Sequence, residues 1–305
     1  MTHQQKKSIP SIYKQFFVTS ETSGLRLDRY LKLVLGSELS LSQVKWAIEH
    51  NLCRINKQLE RFVSTKTKLG DFIELNVSAI PSQIHSTTKY DSNRILYEDE
   101  AILIYDKPPG ISCDEEGLFH QIKVYCKSII PIHRLDKETS GAILFAKQPE
   151  LEPLLIKQFR ERTIKKKYCA IVDGSPKTLK GTITNYLGKI QGFQGCCIWG
   201  EVPKNKGVLA ETIWQKVESG GGASLMHCWP QTGRTHQIRI HMSQLGFPIL
   251  GDRQYSKHFR CPYKTGRLLL HALSLEWIHP IKNQIILTCA EPPEDIKKAI
   301  DYIRS

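Results

Sequence analysis

The 305-residue sequence lacks a long hydrophobic run: no apolar stretch approaches the roughly 18 residues that a membrane-spanning helix needs. Residues 1–10 are polar and have no apolar core of the kind that a signal peptide carries. The nine cysteines form no CxxC pair and no tandem spacing typical of a zinc ribbon, which favours scattered reduced thiols. We therefore expect a cytoplasmic protein without such a metal site.

Acidic residues are also in short supply. The chain has 30 Asp and Glu residues against 43 Lys and Arg residues, a net charge of +13. A surplus of this size favours a polyanionic partner and says nothing about the fold. Charge alone leaves a nucleic acid, an anionic membrane surface and an acidic protein as possible partners.

The order of patterns along the chain predicts two folded parts, as the length allows. Residues 1–20 show no strong period and are expected to form a flexible leader. Residues 81–92 are polar, begin with Pro81 and contain a Ser/Thr cluster, which predicts a linker. The folded parts are then residues 21–80 and residues 93–305.

Residues 21–80 predict two helices followed by strands. Ser40 and Gln43 have the spacing of a capping box at the start of the second helix, and residues 53–57 and 68–77 are typical of strands next to tight turns. In the first helix, the apolar positions at helical spacing are Leu27, Tyr30, Leu31 and Val34.

Residues 93–305 are dominated by short strand patterns with few helices between them. Residues 151–162 and the segment from about Pro293 onward predict helices. Strands at this density, with few crossover helices, predict an α+β fold with a mostly antiparallel sheet. The strand candidates are residues 95–97, 101–105, 141–146, 168–172, 210–217, 224–228, 268–277 and 284–289.

A charged loop at residues 133–141 leads into the apolar segment 142–146. Loops carried by a rigid strand often hold catalytic side chains, which makes Asp136 a candidate catalytic carboxylate. The alternative is an ordinary surface turn with Asp136 in solvent.

Residues 231–242 contain four side chains that can be cationic. Ile238, Ile240 and Met242 alternate as in a strand, while a helix that begins near Thr235 fits equally well. A guanidinium can pair bidentately with a carboxylate and hold it in its ionised form. The candidate partners are Arg234, His236, Arg239 and His241.

Residues 160–167 place five Lys and Arg residues within eight positions, directly before Tyr168. Cations beside an aromatic side chain suit phosphate contacts next to a base-stacking face. The alternative is a solvent-exposed basic loop with Tyr168 in the core.

These segments, in this order, resemble the signatures of the RluA family of pseudouridine synthases. The resemblance runs from about residue 92 to residue 300. Residues 21–80 resemble the small S4 RNA-binding domain, although that family usually has Gly where Lys57 stands. The family-like segments are residues 107–110, 133–141, 158–162, 166–168, 233–239, 267–272 and 291–294.

The resemblance implies roles for individual positions. Asp136 corresponds to the essential aspartate, Tyr168 to the tyrosine that packs on the target base and takes part in proton transfer, and Arg239 to the arginine that pairs with the aspartate. Arg134 corresponds to the residue that replaces the extruded base in the stack. Known members use no metal or organic cofactor.

The resemblance also implies RNA contacts, which we expect from basic side chains in both parts of the chain. The expected substrate-binding residues are Lys107, His133, Arg134, Arg160, Lys166, Lys167, Arg234 and His236. The expected contacts of the S4-like part are Arg26, Arg29, Lys45 and Arg54.

The implied reaction breaks the N1–C1′ bond of a uridine, rotates the uracil and rejoins it through C5, after the nucleotide has been flipped out of its stack. Asp136 either adds to C1′ or removes a proton to give a glycal-type intermediate, and the sequence does not choose between these routes. Members with an S4 domain mostly act on large-subunit ribosomal RNA, and we expect the same substrate here. We also expect the protein to be a monomer.

Three alternatives to this expectation remain. One is a transfer RNA substrate, and another is a non-catalytic RNA-binding protein such as a ribosome-assembly factor. The third, a glycosidase, needs a second carboxylate at a defined separation, and neither Glu138 nor Glu161 makes a convincing pair with Asp136.

Overall fold

The computed structural model describes residues 12–80, 90–115, 117–191, 197–256 and 258–305. The expected leader up to residue 11 and the expected linker from 81 to 89 lie outside the described residues. Residues 12–80 belong to one compact unit, and residues 90–190 and 199–305 belong to a second. Within the described residues, no helix is both long enough and apolar enough to span a membrane.

The first unit packs two helices on a four-stranded antiparallel sheet of order β1-β4-β2-β3. Tyr30 and Leu31 are buried as predicted, but Val34 is exposed and the next residue, Leu35, is buried in its place. Its elements are β1 (Tyr13–Phe17), α1 (Leu27–Leu35), α2 (Leu41–Glu49), β2 (Cys53–Ile55), β3 (Gln58–Glu60) and β4 (Phe72–Asn76).

Local sequence signals account for the start of α2 and for the turn between β2 and β3. The capping box is present: the Gln43 amide donates to the Ser40 hydroxyl at 3.2 Å, and the Ser40 amide donates to the Gln43 side chain at 2.8 Å. Between β2 and β3, Asn56 and Lys57 adopt positive φ angles of 50° and 69°. A two-residue hairpin turn of this kind needs both, and lysine adopts it at a higher cost than glycine.

One expectation for this unit was wrong. Residues 13–17, which we expected in the leader, form the edge strand β1, with Tyr13 opposite Asn76 and Phe17 opposite Phe72. Phe16 packs against the core of the unit. The strand is short, and only one of its faces contacts the core, so its period is too weak to stand out in the sequence.

The second unit is built on one extended sheet, in which β8–β14 is the only parallel pair among the described strand pairings. The mostly antiparallel α+β prediction is confirmed. Its strands are β5 (Ile95–Glu98), β6 (Ile102–Lys107), β7 (Ile130–Pro131), β8 (Ser140–Ala146), β9 (Lys165–Asp173), β10 (Lys180–Gln191), β11 (Cys197–Glu201), β12 (Val208–Gly220), β13 (Ala223–Pro230), β14 (Leu270–Ile278) and β15 (Ile285–Cys289). Its helices are α3 (Leu118–Tyr125), α4 (Glu152–Arg160), α5 (Gln237–Gln244) and α6 (Glu294–Arg304).

The central order of the sheet is β10-β12-β13-β9-β14-β8-β6-β5, with β15 added on β14 and β7 on β8. Every residue of β8 is buried. Leu144 faces one core cluster and Phe145 faces another, because helices and loops cover both faces of the sheet here. This rigid strand carries the loop that holds Asp136.

Candidate active site

Asp136 lies in the loop between β7 and β8, and the loop is fastened at several points. The Gly110 amide donates to the carbonyl of Lys137 at 2.8 Å, and the Thr139 amide donates to the carbonyl of Asp136 at 3.1 Å. Gly141 has φ of +110°, and a Cβ there would lie 2.2 Å from the carbonyl oxygen of Ala272. Only glycine fits at this close approach of β8 to β14, so the loop has a fixed exit.

Lys107 helps to hold this loop in place. The side chain is fully buried, and its ammonium donates to the carbonyl oxygens of Pro108, Ile111 and Lys137 at 2.9 to 3.0 Å. Burial lowers the pKa of Lys107 to about 8. We expected Lys107 to contact the substrate, but all three of its donors are used inside the protein, so its position is that of a support beneath the Asp136 loop.

Arg239, on α5, reaches Asp136 with one nitrogen. Its Nη1 lies 3.4 Å from Asp136 Oδ2. Its bidentate partner is instead Asp252, to which Nε and Nη2 donate at 2.8 and 3.0 Å. Although burial lowers the pKa of Arg239, the pairing with Asp252 and the charge of Asp136 raise it above its ordinary value. The expected guanidinium–aspartate pairing is present, but its two-point contact is made with a second carboxylate.

Asp252 is a site residue that the sequence reasoning missed. It is buried, and besides Arg239 it accepts hydrogen bonds from the amides of Gln254 and Tyr255, both at 3.1 Å. Gln254 Oε1 accepts another bond from Arg239 Nη2 at 3.2 Å. Asp252 therefore fixes the orientation in which the guanidinium meets Asp136.

His236 forms a second contact with Asp136. The helix prediction for this segment is confirmed and the strand prediction is wrong: α5 begins at Gln237, and its N-cap residue is His236, next to Thr235. His236 has φ of +57°; its Nε2 lies 3.9 Å from Asp136 Oδ1, and its Nδ1 is hydrogen-bonded to the Tyr255 hydroxyl at 2.8 Å. Burial lowers the pKa of His236 although Asp136 raises it, so a neutral imidazole faces the carboxylate at neutral pH.

The sheet register brings Tyr168 to the same place. Tyr168 on β9 lies opposite Cys228 on one side and Ala272 on the other, and Ala272 pairs with Gly141 of β8. Burial, reinforced by the negative charge of Asp136, raises the pKa of Tyr168. Its phenol is therefore protonated at neutral pH.

Asp136, Tyr168 and Arg239 line one cavity of about 560 Å³, within the size range of small-molecule sites. Part of its wall is apolar, formed by side chains such as Leu135, Phe159 and Ile238. The expected substrate-binding residues that line it are His133, Arg134, Arg160, Lys166, Arg234 and His236. A cavity with a partly apolar wall, many cations and one carboxylate suits a planar base attached to phosphates.

Two of the expected substrate-binding residues stand apart from the others. Lys107 does not line this cavity, as its burial explains, and neither does Lys167, whose ammonium lies 5.7 Å from the centre of the Trp229 ring. Burial first and the nearby charge of Lys166 second lower the pKa of His133 to about 3. Its Nε2 accepts a hydrogen bond from the amide of Leu144 at 3.0 Å, so His133 contributes a neutral wall and not a cation.

Lys166 and Thr139 add two further polar groups to the cavity. Lys166 donates to the carbonyl of Thr232 at 3.1 Å, and burial together with the charge of Arg234 lowers its pKa to about 8. Thr139 is buried, and its hydroxyl has no hydrogen-bond partner among the described residues. A buried hydroxyl without a partner is costly, which makes Thr139 a candidate contact for a ligand.

The basic residues expected to bind RNA in the first unit differ in their surroundings. Arg29 and Arg54 are exposed, while Arg26 pairs bidentately with the buried Asp28 at 3.0 Å. Lys45 on α2 is partly buried. Among the described residues of either unit, no group of three or more His, Cys, Asp and Glu side chains could hold a metal ion.

Comparisons with known proteins agree with this arrangement. A family model described as RNA pseudouridylate synthase matches residues 101–244, the range that contains Asp136, Tyr168 and Arg239. An uncharacterized RNA pseudouridine synthase of Synechocystis sp. is 32% identical over 96% of this chain and 94% of its own length. Ribosomal large subunit pseudouridine synthase C of Buchnera aphidicola subsp. Acyrthosiphon pisum is 33% identical over 94% of this chain and 96% of its own.

A solved structure agrees at the level of the fold. Human RNA pseudouridylate synthase domain containing 4 superposes with a TM-score of 0.58 and 24% identity, over 70% of this chain and 94% of that one. The matches to these two curated relatives extend over nearly the whole chain. The chain belongs to the RNA pseudouridine synthase family of enzymes.

Proposed function

We propose that this enzyme isomerises specific uridines of large-subunit ribosomal RNA and that Asp136 is its catalytic carboxylate. The observation that carries the proposal is the placement of Asp136 in a cationic cavity between the guanidinium of Arg239 and the imidazole of His236. The ribosomal substrate is supported by the relatives named as large-subunit pseudouridine synthases. The basic composition of the chain agrees with an RNA partner.

The chemistry follows from the charges that surround the cavity. Arg239 places a guanidinium nitrogen 3.4 Å from the carboxyl group of Asp136. A carboxylate at this position is needed for addition to C1′ and equally for removal of a proton from the sugar. The protonated phenol of Tyr168 offers a flat surface and a hydrogen-bond donor to the uracil, but it does not offer a base. The proton that leaves C5 after rejoining therefore needs another acceptor, and Asp136 and the neutral His236 both lie in the cavity wall.

Base extrusion costs a few kcal/mol, and phosphate contacts elsewhere offset this cost. Arg134 is exposed at the cavity, where it can occupy the place that the target base leaves in the stack. Arg160, Lys166 and Arg234 then meet the adjoining phosphates.

The glycosidase alternative needs a second carboxylate near Asp136, and the structure offers Asp252 as the candidate. Asp252 is the second carboxylate on Arg239, but both of its oxygens are occupied by the guanidinium and by two backbone amides. It is not available as the second acid or base that a glycosidase needs.

We further propose that the first unit is an S4-like RNA-binding domain and that the enzyme acts as a monomer. The exposed Arg29 and Arg54 support this role. Replacing both with Gln should weaken RNA binding and flatten its salt dependence by a slope of about 2, because each phosphate contact contributes about 0.9. The matched control replaces the exposed Lys177 and Lys264 of the second unit with Gln, and equal losses in both variants would contradict a specific role.

Two measurements separate the remaining substrate choices. Release of tritium from C5-labelled uridine in cellular RNA tests for isomerisation, and binding without release would support the non-catalytic alternative. Mapping pseudouridines in a strain that lacks the gene identifies the substrate: lost sites in large-subunit ribosomal RNA support the proposal, and lost sites in transfer RNA contradict it.

A further inference from the structure

A second, smaller cavity of about 280 Å³ lies beside the catalytic one. The two cavities share four lining residues, so that one wall separates them. This second cavity is just below the range of about 300–1,000 Å³ that is typical of drug-sized ligands. It can take a single flat group. The shared residues are Arg162, Lys166, Pro230 and Gln231.

The remaining walls of the second cavity combine an aromatic surface, apolar contacts and charge. Trp229, the penultimate residue of β13, is partly buried, and its cross-strand neighbour Ile213 is exposed. Lys165, at the start of β9, adds a cation and pairs with Glu276. A tryptophan face bordered by aliphatic side chains and cations is suited to a nucleobase, because every base can stack on it.

Two neighbouring side chains, Lys167 and His227, lie close to the Trp229 ring. Lys167 holds its ammonium 5.7 Å from the ring centre but does not line the cavity, so the cavity-facing part of the indole is left for another partner. His227 meets Trp229 edge-on at 5.9 Å on the same face of the sheet and braces the indole. Burial, aided by the charge of Lys167, lowers the pKa of His227 to about 4, which makes this support neutral.

The position of the shared wall indicates what occupies the second cavity. A nucleotide in the catalytic cavity and one in the Trp229 cavity would be neighbours along an RNA strand. Arg162 and Lys166 stand on the wall between them, where the phosphate that links the two nucleotides would pass. Neither an apolar ligand nor an anion alone would use both the indole and these cations.

We propose that the cavity lined by Trp229 binds the base of the nucleotide next to the target uridine, by stacking on the indole, with Arg162 and Lys166 holding the connecting phosphate. The inference rests on the proposed function, because it takes the catalytic cavity as the site of the flipped uridine. Stacking is tolerant of base identity, so this subsite adds affinity and holds the backbone in register, and it adds little sequence preference.

The test compares two probes: a pentaribonucleotide with a central uridine, and the same molecule with abasic residues on both sides of that uridine. Binding of each is measured for the full-length wild-type protein and for Trp229→Ala and Trp229→Phe. The control variant is Tyr125→Ala, which removes an exposed aromatic side chain elsewhere in the second unit. Thermal unfolding checks that all four proteins are folded.

We expect Trp229→Ala to weaken binding of the intact pentanucleotide by roughly 5- to 150-fold, the range found for one base stacked on an aromatic side chain. Trp229→Phe should retain most of the affinity, and Tyr125→Ala should retain all of it. With the abasic probe, the wild type and Trp229→Ala should bind equally. Equal losses on both probes, unchanged binding of the intact probe by Trp229→Ala, or no preference of the wild type for the intact probe would each overturn the proposal.

This result is separable from the proposed catalysis. On a long RNA substrate at saturating concentration, Trp229→Ala should retain its rate of uridine isomerisation and show a raised KM. A protein without isomerase activity in any variant would contradict the proposed function. A fully active Trp229→Ala variant with an unchanged KM would contradict only the subsite.

Discussion

The ion pair between Arg239 and Asp252 allows a quantitative prediction, because a single substitution, Asp252→Asn, removes the negative charge that pairs with the guanidinium. Asp252→Asn keeps the shape of the side chain and its capacity to accept amide hydrogen bonds, but it removes the charge. The side chains of Arg239 and Asp252 are 11% and 1% exposed. The variant therefore leaves a largely buried guanidinium with Asp136 as its remaining carboxylate partner among the described contacts.

The expected loss follows from this burial. Removing one partner of a fully buried pair costs about 3–5 kcal/mol. Because Arg239 keeps some solvent and the second carboxylate, we expect Asp252→Asn to lower the free energy of unfolding by about 2–3 kcal/mol. For a unit of this size, that corresponds to a melting temperature lower by about 4–12 °C.

Catalysis should fall as well, since the guanidinium loses the group that orients it toward Asp136. We expect a lower single-turnover rate of isomerisation with little change in RNA affinity. Denaturant unfolding and tritium release from the same preparations measure both effects. Adding Arg239→Met to Asp252→Asn should restore part of the stability, because the double variant no longer buries an unpaired charge.

Arg267 and Asp295 supply a matched control. They also form a bidentate pair, at 2.5 and 2.8 Å, but the Asp295 side chain is 43% exposed. The Arg267 side chain is 11% exposed, as that of Arg239 is. Asp295→Asn should nevertheless cost only about 1 kcal/mol, because the carboxylate is partly solvated and the guanidinium keeps its hydrogen bonds to the carbonyls of Glu138 and Leu268. If Asp252→Asn is as mild as this control and has a normal single-turnover rate, the reasoning about the guanidinium anchor is wrong.

Three further predictions concern the cavity and its support. RNA affinity should fall roughly tenfold between pH 7 and pH 9 in a binding titration, because Lys166 loses its proton above its lowered pKa of about 8 and must regain it to pair with a phosphate. In the same titration, the affinity of Lys166→Arg should not change with pH. Thr139→Val should leave the melting temperature unchanged or higher, because it removes a buried hydroxyl without a partner among the described residues, yet it should lower kcat/KM; a stability loss above about 1 kcal/mol would show that the hydroxyl is satisfied within the protein. Gly141→Ala should unfold the protein or lower its free energy of unfolding by more than about 3 kcal/mol, because the new Cβ would lie 2.2 Å from the carbonyl oxygen of Ala272. An active variant of normal stability would contradict the close packing of β8 on β14.

The sequence was sufficient where local chemistry and periodicity agree. The capping box of α2 and the α+β class could be predicted in this way. The placement of Asp136, Tyr168 and Arg239 in one cavity was implied only by the family resemblance. Asp136 lies in a charged loop, Tyr168 follows a run of five cations, and Arg239 lies in a segment with four side chains that can be cationic. Their proximity depends on the register of the strands, which the sequence does not give and the sheet shows.

The sequence was insufficient where burial decides the role of a charged residue. Lys107 is a cation in a family-like motif, but its surroundings are backbone carbonyls, which no pattern of side chains shows. His133 is neutral because burial, and secondly the charge of Lys166, lower its pKa to about 3. Asp252 lies 13 residues from Arg239 in a segment without periodicity, so no pattern in the sequence indicated that the two side chains pair.

The most direct test of the central claim is the release of tritium from C5-labelled uridine by Asp136→Asn, with Glu138→Gln from the same loop as the matched control. The account predicts background release by Asp136→Asn, RNA affinity within about threefold of the wild type, and normal release by Glu138→Gln. Near-normal release by Asp136→Asn would contradict the assignment of Asp136 as the catalytic carboxylate.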